Sequence, residues 1–203
     1  MKKSVYDRID KCFGGVPVDV DRMLRELNAT CVDLTLSKRW GGLLLGRDGK
    51  HIIGIRKDRN YYANRFTACH EAAHLVLGHR PSGTIFSNFE EWQANVAASQ
   101  MLLPYQELIP FFAENYWRLY LEKNKVISEI VIKYMVTPPI ARQRYDDLSY
   151  EISQYRAGVP MEKIVFLTHS EARRRGIVTG RFRDFPFDQG SGGYITPDIF
   201  AER

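Results

Sequence analysis

The sequence predicts an α+β fold: a small sheet packed on one central helix, followed by a helical, helix-turn-helix-like segment. Three observations carry it. Residues 66–79, FTACHEAAHLVLGH, contain no proline, have helix formers at Ala68, Ala72 and Ala73, and gain apolar bulk from Leu75, Val76 and Leu77. Residues 31–56 show strand-like alternation and a hairpin signal instead of helical periodicity. Residues 88–104 carry a second helical stripe, Ala94, Ala97, Ala98, Met101 and Leu102, closed by Pro104.

In chain order, residues 4–13 and 19–28 read as helices, the second through its stripe of Val20, Met23, Leu24 and Leu27. CVDLTLSK, residues 31–38, alternates with Val32, Leu34 and Leu36 on one face and reads as a strand. A hairpin follows, Leu43 to Leu45 and His51 to Arg56, turning through Asp48-Gly49. The helix at 66–79 ends at Gly78, which suits a left-handed cap, and a loop around Pro81 to Thr84 leads to the helix at 88–104. Residues 105–122 are expected to form one aromatic-rich helix, with Phe111, Phe112, Tyr116, Trp117, Leu119 and Tyr120 serving as core or as a cover over a cleft. VISEIVIKYMVTPPIARQRYDDL then has a helix-turn-helix pattern. Ile127, Ile130 and Val131 line the first helix, Val136 sits in the turn, Thr137 can cap, and Pro138 opens a second helix bearing Arg142 and Arg144. The chain divides on this reading into 1–122, a helical segment at 123–158, and a basic extension at 159–203.

At 203 residues the chain is long enough to bury a core, and 44% hydrophobic with 26% charged residues is an ordinary globular composition. MKKSVYDRID lacks an apolar run and no stretch is long and apolar enough to span a bilayer, so neither a secretory signal nor a membrane span is expected. Cys12, Cys31 and Cys69 are odd in number and scattered, which suggests reduced thiols in the cytoplasm. A net charge of +5 permits an acidic partner or nucleic acid without demanding one.

The chemistry concentrates in the first helix named above. His70 and His74 bracket Glu71 as H-E-x-x-H. Residues four apart share a helix face, so both imidazoles can reach one cation, while Glu71 is aimed beside it, where a carboxylate can take a proton from water. A third ligand is needed. The pattern H-E-x-x-H-x-x-G-x-x-H fails, because Leu77 and Arg80 occupy its last two fixed places and His79 comes one position early. A glutamate on the following helix is the alternative. Glu91 and Glu90 are both candidates, and both also fit a capping box, as Asn88-x-x-Glu91 and Ser87-x-x-Glu90. Asn95, one turn beyond Glu91, can orient a ligand from behind.

RFTACHEAAHLVLGH followed by EEWQANVAASQMLLP resembles the ImmA/IrrE family of metallopeptidases. Arg65, Phe66, Thr67, His70, Glu71 and His74 match the first half of its pattern. Glu91, Ala94, Asn95, Ala98 and Pro104 match the second. The resemblance covers roughly residues 1 to 150, and it departs at Ala97, where the family often carries a larger residue. It implies a zincin-like domain, Zn2+ held by His70, His74 and Glu91, and Glu71 as catalytic base. It also implies a narrow intracellular substrate, typically a helix-turn-helix repressor of phage, mobile-element or stress genes. In zincins an edge strand binds substrate as an added strand, and His51, Ile52, Ile53, Gly54 and Ile55 are the stretch assigned that role here. Tyr61, Tyr62 and Tyr105 are unranked candidates to stabilise the oxyanion, and His169 is read as a surface residue. The alternative is a DNA- or protein-binding regulator on the same scaffold with little hydrolysis; reading of DNA by the 126–148 unit is the less favoured expectation.

Overall fold

The side chain of Asn60 accepts the amide of Ala63 at 2.8 Å, and that cap starts a helix at Tyr61. The helix runs to Leu77 and stops at Gly78, whose φ of 70° is left-handed, so it begins a turn and more before the predicted start at 66. In this computed structural model, residues 1–36, 41–47, 50–79 and 86–177 are described. The Asp48-Gly49 turn, the end of the strand predicted at 31–38, the 81–84 loop and the chain from 178 onward lie outside them.

Among the described residues the elements are α1 (Lys2–Phe13), α2 (Val20–Glu26), β1 (Ala29–Leu34), β2 (Gly42–Arg47), β3 (Lys50–Arg56), α3 (Tyr61–Leu77), α4 (Asn88–Leu102), α5 (Tyr105–Glu114), α6 (Tyr116–Tyr134), α7 (Pro138–Asp147), α8 (Ser149–Arg156), a 3-10 turn at Met161–Lys163, and α9 (His169–Arg174). The fold is α+β, as predicted. None of these helices is long and apolar enough to cross a membrane.

The sheet order is β1-β3-β2, with β1 parallel and β2 antiparallel to β3. The stretch His51 to Ile55 therefore lies in the central strand. Its hydrogen bonds are taken on both sides, for example His51 N–H to Asn28 O and Arg56 N–H to Gly41 O, so it has no edge to offer an added strand. The alternation of those bonds turns the amide and carbonyl groups of Gly42, Leu44 and Gly46 away from β3. The edge nearest α3 is thus β2.

The single helix predicted at 105–122 is two. The chain breaks at Asn115, whose side chain bonds back to Phe111 O, and α6 kinks again at Glu122, where φ is −137°. Pro110, inside α5, already removes one amide from that helix. The first helix of the helix-turn-helix pattern is the second half of α6. Met135 takes a left-handed conformation, Val136 is buried, and α7 opens on Pro138. Thr137 occupies the cap position without making the cap bond.

Arg144 does not face solvent. The buried face of α7 is Ile140, Ala141 and Arg144, and the guanidinium donates to Leu103 O, Tyr6 Oη and Gln100 Oε1 at 2.9, 2.7 and 2.8 Å. Lys2 likewise enters the interior, paired with Glu151 at 2.8 Å and bonded to Asp147 O. One hydrophobic core runs from Val5 and Tyr6 through α3 and α4 to Ile152 and Phe166, continuous across residue 122.

Candidate metal centre

Alanines let α3 and α4 approach closely. Ala72 and Ala73 on one helix, and Ala94, Ala97 and Ala98 on the other, are fully buried. This contact sets His70 and His74 opposite Glu91. His70 Nε2 is 3.1 Å from Glu91 Oε2, His74 Nε2 is 3.9 Å from Glu91 Oε1, and the two Nε2 atoms are 3.2 Å apart. One donor atom from each of the three lies within 4.8 Å of the other two.

The outer nitrogens decide what the inner ones carry. His70 Nδ1 is 3.1 Å from Asn95 Oδ1, a pure acceptor, so Nδ1 holds the proton and Nε2 is bare. His74 Nδ1 is 2.9 Å from His79 Nδ1, and His79 Nε2 is 3.1 Å from Gln93 Oε1. Gln93 accepts from His79, so His79 Nδ1 accepts from His74, and His74 Nε2 is bare as well. Two lone pairs and a carboxylate then converge with no shared proton in neutral rings. Four-coordinate zinc, with nitrogen and oxygen ligands about 2.0–2.1 Å away, sets neighbouring donors roughly 3.3 Å apart, and the donor set here fits it.

Without the cation, burial opposes charge on His70, yet Glu91, Glu71 and Asn95 raise its pKa. His74 goes the other way. Burial, then the nearby His70 and His79, push it down to about 2.

Glu71 is buried beside this set, and burial, reinforced by Glu91 and opposed by His70, raises its pKa to about 7. The backbone of β2 lies directly against it. A Cβ on Gly42 would stand 2.9 Å from Glu71 Oε1 and 2.5 Å from Thr67 Cγ2, so only glycine fits there.

The two glutamates of the EE pair separate cleanly. Glu90 closes a capping box with Ser87, accepting its amide at 2.9 Å while Ser87 Oγ accepts the Glu90 amide. Glu91 turns to the histidines, and the Asn88 box does not form.

Residues 33–146 match the Peptidase_M78 family, described as the IrrE N-terminal-like domain. The chain belongs to that family. The match holds both the histidine helix and Glu91, and it starts later than the motif resemblance suggested. A comparison with curated proteins finds no match. The family is one of metallopeptidases with a zincin-like domain, and such peptidases carry a metal, usually zinc.

Within this Peptidase_M78 chain the structure brings together His70, Glu71, His74, Glu91 and Asn95. It does not bring His51 to Ile55 to a free edge. Tyr105 packs on Tyr6 and Phe166 in the core, and Tyr61 lines a separate cleft of about 860 Å³ with Val18, Cys31 and Arg65, so neither stands as an oxyanion stabiliser. Sequence reasoning passed over Gly42, Gln93 and Phe86, the last stacked on His74 at 3.7 Å between ring centres. It weighed His79 only as a displaced ligand. The signal for His79 was present: a histidine directly after a helix-ending glycine is folded back onto the last turn.

Proposed function

We propose that this Peptidase_M78 chain is a cytoplasmic, zinc-dependent endopeptidase whose substrate is a helix-turn-helix repressor protein. The observation that carries the reading is the convergence of the Nε2 atoms of His70 and His74 and the Glu91 carboxylate beside a buried glutamate. His70, His74 and Glu91 hold the ion, and Asn95 keeps His70 turned to it. Bound zinc supplies Lewis acidity towards a carbonyl oxygen and towards water.

Glu71 does the proton work. It sits on the same helix, aimed beside the ligand set, and takes a proton from the attacking water and delivers it to the leaving amine. Its burial raises its basicity into the range useful at neutral pH. The contact with Gly42 fixes β2 against Glu71 and shields the carboxylate on that side. An extended substrate adds along β2, using the outward groups of Gly42, Leu44 and Gly46. The repressor class follows from the family resemblance, and its cleavage would release transcription of the genes it silences.

The test is Glu71→Gln in the zinc-loaded protein, incubated with the helix-turn-helix repressor encoded in its genomic neighbourhood. Parent protein should cut the repressor. The variant should keep its zinc and lose about 10²–10⁴-fold in cleavage rate. A Glu71→Gln protein that derepresses the target in cells as well as the parent would exclude proteolysis and leave a binding regulator.

A further inference from the structure

We infer that the end of α3 is part of the metal centre: the left-handed turn at Gly78 delivers His79 as a positioning residue that fixes His74, with Gln93 holding His79 from behind. This rests on the reading of His70, His74 and Glu91 as zinc ligands.

The backbone supplies the first half of the argument. Gly78 N–H bonds to Leu75 O at 3.0 Å and His79 N–H bonds to His74 O at 2.9 Å. Those two bonds are the paired closure of a helix ending on a left-handed residue, and they fold position 79 back over position 74. The φ of 70° at Gly78 is one that a side chain resists, so the sequence order Gly then His is what places the second ring on the first.

The side chains supply the second half. His74 is almost wholly buried, so an Nδ1–H without an acceptor would be costly. His79 Nδ1 is that acceptor, and it can accept only while its own proton sits on Nε2, where Gln93 Oε1 receives it. The chain Gln93–His79–His74 thus specifies one tautomer at each ring and leaves His74 Nε2 bare towards Glu91. Phe86, stacked on His74, blocks the ring from tilting out of that line. Helix α4 consequently bears on all three ligands, directly through Glu91, through Asn95 for His70 and at one remove through Gln93 for His74. His70 is held more simply, by Asn95.

The experiment measures zinc affinity of the full chain by competition with a chromophoric chelator, alongside thermal melting of the metal-free forms. His79→Phe keeps the ring and removes the acceptor. It should weaken zinc binding about 10–100-fold, the usual effect of losing such a partner. His79→Asn keeps an acceptor near the Nδ1 position and should stay within about threefold of the parent. Parental affinity in His79→Phe, or an Asn variant no better than the Phe variant, overturns the inference. If His79→Phe does not fold, Gln93→Met decides, since Gln93 is half-exposed on α4 and the change leaves the residues of the Gly78 turn themselves unaltered. A loss of about threefold is expected there, and parental affinity overturns the chain. His70→Ala separates the two readings. If it still binds one zinc, the ligand assignment itself fails; if it loses zinc while His79→Phe binds like the parent, only the role of His79 fails.

Discussion

Arg144 and His74 are both nearly inaccessible polar side chains that sequence patterns made look functional, and their surroundings differ in kind. Each nitrogen of the Arg144 guanidinium meets an acceptor in the interior: a carbonyl, a phenol and an amide oxygen. His74 donates once, to His79, and its other nitrogen faces a second bare nitrogen and a carboxylate. A buried cation with all its partners present holds helices together. Two buried imidazole nitrogens and a carboxylate turned to one point are a place for a cation from outside. The helix-turn-helix-like pattern and the H-E-x-x-H pattern are both real as local structure; Arg144 is spent on packing, whereas the histidines leave chemistry unfinished.

The sharpest way to break this contrast is to remove a bare donor. His74→Ala should abolish stoichiometric zinc, measured by elemental analysis, and Glu91→Ala should weaken it strongly; full occupancy in either would remove the assignment. Arg144→Met should do the reverse. It leaves three buried acceptors without their donor, so we expect a loss of about 3 kcal/mol in urea unfolding of the metal-free protein, with zinc affinity of the folded form unchanged. Loss of zinc affinity in that variant would merge the two regions.

A pH series sharpens the same contrast in the metal-free protein. Glu71 stays neutral in the folded chain up to about 7 but ionises near 4.5 when exposed. The folded state therefore binds the extra proton between those values. The stability this contributes is complete below 4.5 and is lost as pH rises through about 7, a change of about 3 kcal/mol at most. His74, held neutral when folded, works in the opposite sense, since its stability is lost as pH falls from about 6.5. Unfolding of parent and Glu71→Gln compared across pH isolates the glutamate: the parent should lose stability relative to the variant above pH 5. A constant difference would mean that Glu71 is not desolvated. The smallest effect belongs to Glu90→Ala, which loses a helix cap worth about 1 kcal/mol and should leave zinc content intact.

How much of this was legible beforehand depended on how local the cause was. The histidine pair, Glu71 and the helical stripe of α4 follow from spacing along one helix, and the alanine faces announced a close pair. The role of His51 to Ile55 was misread because a hairpin fixes which strands are neighbours but not which of them is the edge. Parallel pairing of β1 onto β3 decided that, and it is a long-range choice. Which way Arg144 faces was not read from the sequence; the face it shares with Ile140 and Ala141 was the available hint. Gly42 carried no sequence signal, because its necessity comes from Glu71, which reaches it through the fold alone.

The buried pair of Lys2 and Glu151 has a bearing on synthesis. Its two halves are 149 residues apart in the chain, and until Glu151 emerges from the ribosome the Lys2 ammonium lacks the carboxylate with which it enters the interior. Arg144, which anchors α4 through Gln100 and its neighbour Leu103, also arrives late. The histidine helix is made early, but the core that steadies its partner helix closes only when the eighth helix is out. A nascent chain that stops short of α8 is expected to bind zinc poorly.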